Sequence, residues 1–329
     1  MEKRYNFRIY PTREQELLIQ KSFGCCRFVY NHYLAMRIDA YKNEHRLLGL
    51  NECCRDLARL KKAAGTEWLA EADSNALLVA LKELDRAYRA FFRRAKNGGP
   101  PGFPKYRSKK GRSSYTSRKN IKRENIAIED RAIKLPKLGR VRCRVSRRPE
   151  GRILSASVFQ SPSGKYFVSV CCTDVNPRPL PKTGKTAEIK LGITPLVTTS
   201  DGFTSENPRY FEKSEKKIAR LSRRLSRKPK GSNNREKARI KLARAYEKVS
   251  NRRSDCLNKL STRLVREYDA IYIRDTKPSE HMTDKRFAKE LADAGLGYLL
   301  GKLRYKCDRY GKELVLTDVS SERAPDLAS

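Results

Sequence analysis

The stretch EIKLGITPLVTTSDG, residues 188–202, restricts the possible folds of this chain more than any other segment. Ile189, Leu191 and Ile193 fall on one parity and Glu188, Lys190 and Gly192 on the other, so a pleated strand turns its apolar residues one way and Lys190 the opposite way. A short bend and a second strand closed by an Asp201-Gly202 turn follow. Beyond them the pattern predicts a basic helix at about 211–227, a break at RKPKGSNN, a long helix from Arg235 to Tyr268, a strand DAIYIRD, a helix from about 285 to 310 and a strand ELVLTD. Strands first, then helix and strand in alternation, call for a sheet covered by helices.

The N-terminal half reads differently. KRYNFRIYP at 3–11 alternates like a strand, and Pro11-Thr12 opens a helix whose apolar positions Leu17, Leu18, Phe23, Phe28, Tyr30, Leu34 and Ile38 recur at roughly helical spacing. Further helices are predicted around 51–64 and 73–95, the last one broken by Gly98, Gly99, Pro100, Pro101, Gly102 and Pro104. ILSASVFQSPSGKYFVSVCC at 153–172 is a hairpin about Ser163-Gly164, and the strand at 3–11 can complete the same barrel. Pro177, Pro179 and Pro181 with Gly184 form a linker, and the element order after it is that of a ribonuclease-H-like domain.

Charge narrows the function. The chain of 329 residues has 74 Lys+Arg against 37 Asp+Glu, a net charge of +37, while 38% apolar residues still suffice for sizeable cores. Such a charge repels itself and points to a polyanion whose condensed counterions are released on binding, that is, nucleic acid. From Phe103 to Arg148 there are 17 Lys/Arg and three acids, with Phe103, Tyr106 and Tyr115 interleaved, and from Lys213 to Arg253 again 17 against three. Aromatics among cations suit stacked bases along a phosphate-tracking groove, although Phe103 is equally well read as core. The backbone-contact candidates are Lys105, Tyr106, Arg107, Lys109, Lys110, Arg112 and Arg118 in the first run and Arg223, Arg224, Arg227, Lys228, Lys230 and Arg235 in the second. No apolar run is long enough to span a bilayer and the start has no signal core, so a cytoplasmic protein is expected. Nine cysteines, three pairs of them adjacent, read as reduced buried thiols; without a C-x-x-C and with His32, His45 and His281 scattered singly, no zinc ligand set is evident.

FGCCRFVYNHYLAMR, GFPKYRSKKGRSSY, IKLPKLGRVR, SRKPKGSNNREKARIKLARAYEKVSNRRSDCLNKLSTRLVREYD and DAGLGYLLGKLRYKCDRYGKELV, in this order between about residues 3 and 321, resemble the TnpB family of transposon-encoded RNA-guided nucleases related to type V CRISPR effectors. The resemblance implies an α/β multidomain chain. A wedge-type β-barrel would comprise residues 1–12 and 100–182, a helical recognition insert 13–99, and a ribonuclease-H-like RuvC domain 183–329. It further implies a monomer on one guide RNA, double-stranded target DNA carrying a short adjacent motif, and a bacterial, nucleoid-associated location. The recognition helix DSNALLVALKEL and the wedge loop RSSYTS would approach the adjacent-motif duplex, making Ser74, Asn75, Tyr115, Thr116 and Ser117 the candidate readers. Asn75 can bond an adenine edge or can serve as a helix N-cap beside Asp73 and Ser74.

RuvC chemistry holds two magnesium ions on three carboxylates, and here the chain departs from the family. Lys190 stands where the resemblance puts the first Asp, and Arg274 where it puts the Glu, with Asp275 next to it on the opposite parity. Ala324 and Leu327 take the positions of the zinc-finger cysteines, and the chain stops before the third Asp. The expectation is a degenerate RuvC domain without catalytic magnesium or zinc, resembling the TnpB-like nuclease-dead repressors, which bind DNA under RNA guidance and block transcription. The alternatives are a decaying transposon nuclease, a nuclease rescued by Glu188, Asp201, Asp275 or Asp318, and an unguided basic regulator of transposition.

Overall fold

The computed structural model describes residues 1–100, 102–111, 113–120, 124–275 and 285–318, with positions 274, 275, 285–288 and 318 described by their backbone alone. The chain divides into two compact units, Met1–Val175 and Asn176–Ser329.

In the first unit the alternation of KRYNFRIY forms strand β1 (Lys3–Tyr10), which buries Tyr5, Phe7 and Ile9 on one face. Thr12 ends it and caps helix α1 (Arg13–Glu44): its hydroxyl accepts from the Gln15 N–H while the Gln15 side chain returns a bond to the Thr12 N–H, the reciprocal arrangement that satisfies two otherwise orphan donors. Helices α2 (Leu50–Leu60) and α3 (Ser74–Lys96) follow. The strands β2 (Ser114–Arg118), β3 (Ala127–Ile128), β4 (Ala132–Leu135), β5 (Gly139–Arg144), β6 (Arg152–Gln160) and β7 (Tyr166–Thr173) join β1 in one antiparallel sheet, ordered β2-β6-β7-β1-β5-β4-β3. Both termini of the unit therefore meet in the sheet, as β1 pairs with β5 and β7. The expected barrel is observed as an open order with β2 and β3 outermost among the described strands. Phe23, Leu34, Leu77 and Leu81 of the helices share one core with Phe7, Tyr115, Val158 and Val168 of the sheet.

In the second unit β8 (Thr186–Leu191), β9 (Val197–Thr199) and β10 (Thr204–Ser205) form the antiparallel margin, and β11 (Ala270–Asp275) and β12 (Glu313–Asp318) extend the sheet in parallel, in the order β10-β9-β8-β11-β12. Helices α4 (Glu212–Ser226), α5 (Asn233–Glu267), α6 (Lys285–Ala294) and α7 (Leu296–Tyr310) intervene. Leu257, Leu260 and Leu264 of α5 and Leu299 and Leu303 of α7 bury the sheet residues Ala187, Ile189, Ile271 and Ile273. Gly192 carries the bend between β8 and β9: its N–H donates to Leu196 O, and a Cβ there would lie 2.7 Å from Pro195 O, so no larger residue fits. The single helix expected over 285–310 is two, because Gly295 adopts φ 68, a left-handed conformation that ends one helix and starts the next. The linker with its three prolines goes with the second unit rather than the first: Arg178 N and Leu180 N donate to Arg309 O and Tyr310 O, and Asp269 accepts from Thr183 N and Gly184 N. Ala324 and Leu327 lie outside the described residues.

Candidate nucleic-acid interface

Lys190 sits where the alternation of β8 predicts. Ala187 and Ile189 are buried and Glu188 and Lys190 exposed, so the ammonium stands on the open side of a strand whose other side is core. Lys190 pairs with Thr198 of β9, and on the other flank Ile189 pairs with Ile273 of β11. Arg274, the next residue on β11, pairs with Thr317 of β12, and Asp275 with Asp318. Two further carboxylates have local work. Asp201 accepts from the Thr199 hydroxyl and, at 2.5 Å, from the Tyr268 hydroxyl, and these bonds hold its carboxyl below the usual range and close the β9 turn. Asp269, bonded by the Lys312 ammonium and by the Thr183 and Gly184 N–H groups, is held well below the usual range as well. Among the described residues no three His, Cys, Asp or Glu side chains stand together as a metal would require.

The second basic run forms an antiparallel helical pair. Its turn is organised by one of the expected phosphate contacts: Arg235 donates to Leu225 O at 2.9 Å and to Lys228 O at 2.7 Å, satisfying carbonyls at the end of α4. Arg235, a backbone-contact candidate from the sequence, thus also holds the turn together. Arg223, Arg224, Arg227 and Lys230 are exposed and Lys228 is partly so, leaving one cationic surface on the α4 end and the turn.

In the first unit a groove with a volume of about 960 Å³ runs between α3 and the outer face of the sheet. Lys82, Arg86 and Arg89 line it from the helix, and Arg4, Arg118 and Arg152 from the strands. Asp85 answers part of this charge, pairing with Arg89 at 2.8 Å and with Arg37 at 3.5 Å. Thr116 and Ser157 lie in the groove with their hydroxyls 2.7 Å apart. Two expected readers are not there. Tyr115 and Ser117 have the opposite parity on β2 and are buried, Tyr115 against Phe23 at 5.9 Å between centroids, and burial raises the Tyr115 phenol far above its ordinary value. A one-residue shift in a strand exchanges core for surface, which is why the loop RSSYTS splits in this way. Ser74 is exposed and receives a bond from the Lys61 ammonium. The cap of α3 is Asp73, whose side chain accepts from the Asn75 N–H, so Asn75 itself is not the capping residue. The groove residues Lys82, Arg86, Arg89, Arg4, Arg152 and Ser157 were missed from the sequence. The first three recur at i, i+4 and i+7, a single helical face, and that was the available signal.

The loop after α3 is tied down rather than free. Arg107 donates to Glu83 at 2.8 Å, its guanidinium lies 3.8 Å over the Tyr30 ring, and its backbone N–H and C=O both bond the Asn31 amide, at 2.8 and 2.9 Å. The guanidinium thus has a structural role, while its side chain stays 38% exposed. Lys105, Tyr106, Lys109 and Lys110 are exposed, and Arg112 lies outside the described residues.

Comparison with known proteins fits this architecture. A family described as "probable transposase", of the IS605 OrfB kind, matches residues 169–282, and one described as "helix-turn-helix domain" matches 1–46, a segment that here is β1 and one continuous helix. A protein of Streptomyces pristinaespiralis, provisionally named RNA-guided DNA endonuclease, is 36% identical over 97% of this chain and 78% of its own length. InsQ of Escherichia coli K12, with the same provisional name, is 32% identical over 84% of this chain and 66% of its own length. A Cas12f1 chain, solved by cryo-EM with sgRNA and target DNA, has a similar fold at a TM-score of 0.57 and 11% identity, covering 97% of this chain and 89% of that one. The agreement of sequence over nearly the whole length with the order of sheets and helices shows that the chain belongs to the TnpB (IS605 OrfB) family.

Proposed function

We propose that this protein binds double-stranded DNA under the direction of a guide RNA, does not cut it, and acts as a transcriptional repressor, one chain on one RNA. What supports the reading is Lys190, an exposed ammonium on the central strand, where the family resemblance puts the first catalytic carboxylate. A divalent ion needs anionic or neutral oxygen donors, and neither an ammonium nor a guanidinium has a lone pair to give at neutral pH. Lys190 and Arg274 do not fit a two-magnesium site. Fixed cations in that place meet a phosphate without activating water.

Guide pairing would supply sequence recognition, with the protein reading a short adjacent duplex motif. The groove beside α3 suits the second task, because it sets the paired hydroxyls of Thr116 and Ser157 among seven cations, against the three carboxylates Glu2, Glu83 and Asp85, that can position the backbone. The names of the relatives support RNA-guided DNA recognition and also give the rival reading, a nuclease that still cuts. The two part in one assay. Protein, guide RNA, matched target and magnesium or manganese should give a stable complex and intact DNA, and guide-dependent cleavage abolished by Asp201→Ala or Asp275→Ala would overturn the proposal.

A further inference from the structure

The loop Gly102–Arg107 holds two aromatic rings in solvent on a preformed mount. Phe103 is 46% and Tyr106 58% exposed, and Phe92 beside them 50%. The backbone that carries them is tied at both ends of the loop. Gly102, at φ 56, offers its carbonyl to the Arg94 guanidinium at 2.9 Å, and a Cβ at Gly102 would crowd that guanidinium at 3.1 Å. Pro104 is buried, and Arg107 is fixed by Asn31, Glu83 and Tyr30. Phe103 meets Tyr88 and Phe91 edge-on, at 5.7 and 5.3 Å between centroids, so it is braced from beneath. Rings that avoid water would turn inward on an unanchored loop; here backbone ties and a buried proline prevent it.

The surroundings select the partner. Residues 91–110 contain Arg93, Arg94, Lys96, Lys105, Arg107, Lys109 and Lys110 and no carboxylate. A second copy of the same patch, or a basic protein surface, would be repelled. Aromatic faces between cations complement a strand that offers flat bases and phosphates together, and away from the ends of a duplex only unpaired bases expose a face for stacking. We propose that the Gly102–Arg107 loop is a stacking platform for unpaired bases of the guide RNA, with Phe103 and Tyr106 as the stacking rings and Lys105, Lys109 and Lys110 as phosphate contacts. This rests on the reading of the chain as a guide-RNA binder, but it places a site that the adjacent-motif groove and the RuvC-like sheet do not include.

The test uses the full chain stripped of nucleic acid, a short single-stranded RNA carrying a fluorescent adenine analogue quenched by stacking, its DNA counterpart, and a blunt RNA duplex of equal length. Binding of the RNA strand should quench the analogue. Tyr106→Leu, at an exposed ring, should weaken the RNA strand on the order of fivefold or more for one stacked base, leave the duplex unchanged and keep the salt slope. Phe103→Leu combined with it should add a further loss, with a melting curve to confirm the fold. Lys105→Gln, Lys109→Gln and Lys110→Gln together should instead flatten the salt slope for strand and duplex alike. Wild-type affinity of Tyr106→Leu for the RNA strand, equal losses for strand and duplex, or tighter binding of the DNA strand would each overturn the assignment. Because neither guide, target nor cleavage enters this assay, a negative result leaves the proposed function standing.

Discussion

Lys190 and Arg274 are consecutive in space across two parallel strands: each directly follows a residue of the paired couple Ile189 and Ile273. Two cationic residue types thus occupy neighbouring positions at the C-terminal ends of the central strands, where an open α/β sheet presents its ligand crevice. Lys190→Gln should reduce the salt dependence of target binding by about 0.9 in log–log slope if it answers one duplex phosphate. Chelating divalent ions should leave guide-directed binding unchanged. Gel-shift titrations at several salt concentrations, with and without chelator, check both, and binding that vanishes on chelation would contradict the reading of the site.

Arg223, Arg224 and Arg227 should behave differently from Arg235 although all four belong to one basic run. Replacing the first three by Gln should weaken binding and flatten the slope by about 0.7–0.9 for each phosphate that is no longer neutralised, with the melting temperature retained. Arg235→Gln should lower the melting temperature, because it strands the Leu225 and Lys228 carbonyls, at about 1–3 kcal/mol. Calorimetry beside the binding titrations separates the two effects.

Neighbours on β2 should separate in the same way. Tyr115→Ala removes a buried ring and should cost about 3–5 kcal/mol, whereas Thr116→Val keeps the shape of the groove and should alter only the preferred adjacent motif, by about 1–3 kcal/mol at the base concerned. A randomised motif library bound by each variant, with urea melts, reads both numbers.

At the start of α3 the stability belongs to Asp73. Asp73→Ala should cost about 1 kcal/mol by removing the cap, and Asn75→Ala should leave the melting temperature alone. Relaxed preference at a single base in Asn75→Ala would identify its amide as a reader, and an unchanged library profile would remove it from the candidates.

Asp269 gives the second unit an acid dependence. Its carboxyl is held below its ordinary value by the Lys312 ammonium first and by the Thr183 and Gly184 N–H groups after it. A lowered value in the folded state means that the stabilisation is complete above the unfolded value of about 3.9 and is lost as pH falls from there through the folded value. Melting temperatures should therefore hold from neutral pH down to about 4 and decline below it through this residue. Asp269→Asn should melt lower at neutral pH and show a shallower acid decline.

What the sequence determined by itself was periodic or chemical in kind. Alternation in KRYNFRIY and EIKL placed β1 and β8 with the correct inward faces, because a pleat admits only two orientations. Pro11-Thr12 announced the start of α1, and the exposure of Lys190 followed from parity alone. Tertiary structure decided which cations are free. Arg107 and Arg235 look like their neighbours in sequence, yet one clamps a loop to Asn31 and Glu83 and the other closes a helix end, since their partners lie on elements that only folding brings near. It also decided that Ser157 meets Thr116, 41 residues away in the chain, and that Lys82, Arg86 and Arg89 face the sheet across a groove. Charge and period are local properties of a chain, whereas pairing is a property of contacts, and contacts between distant residues exist only after the sheet and helices have packed.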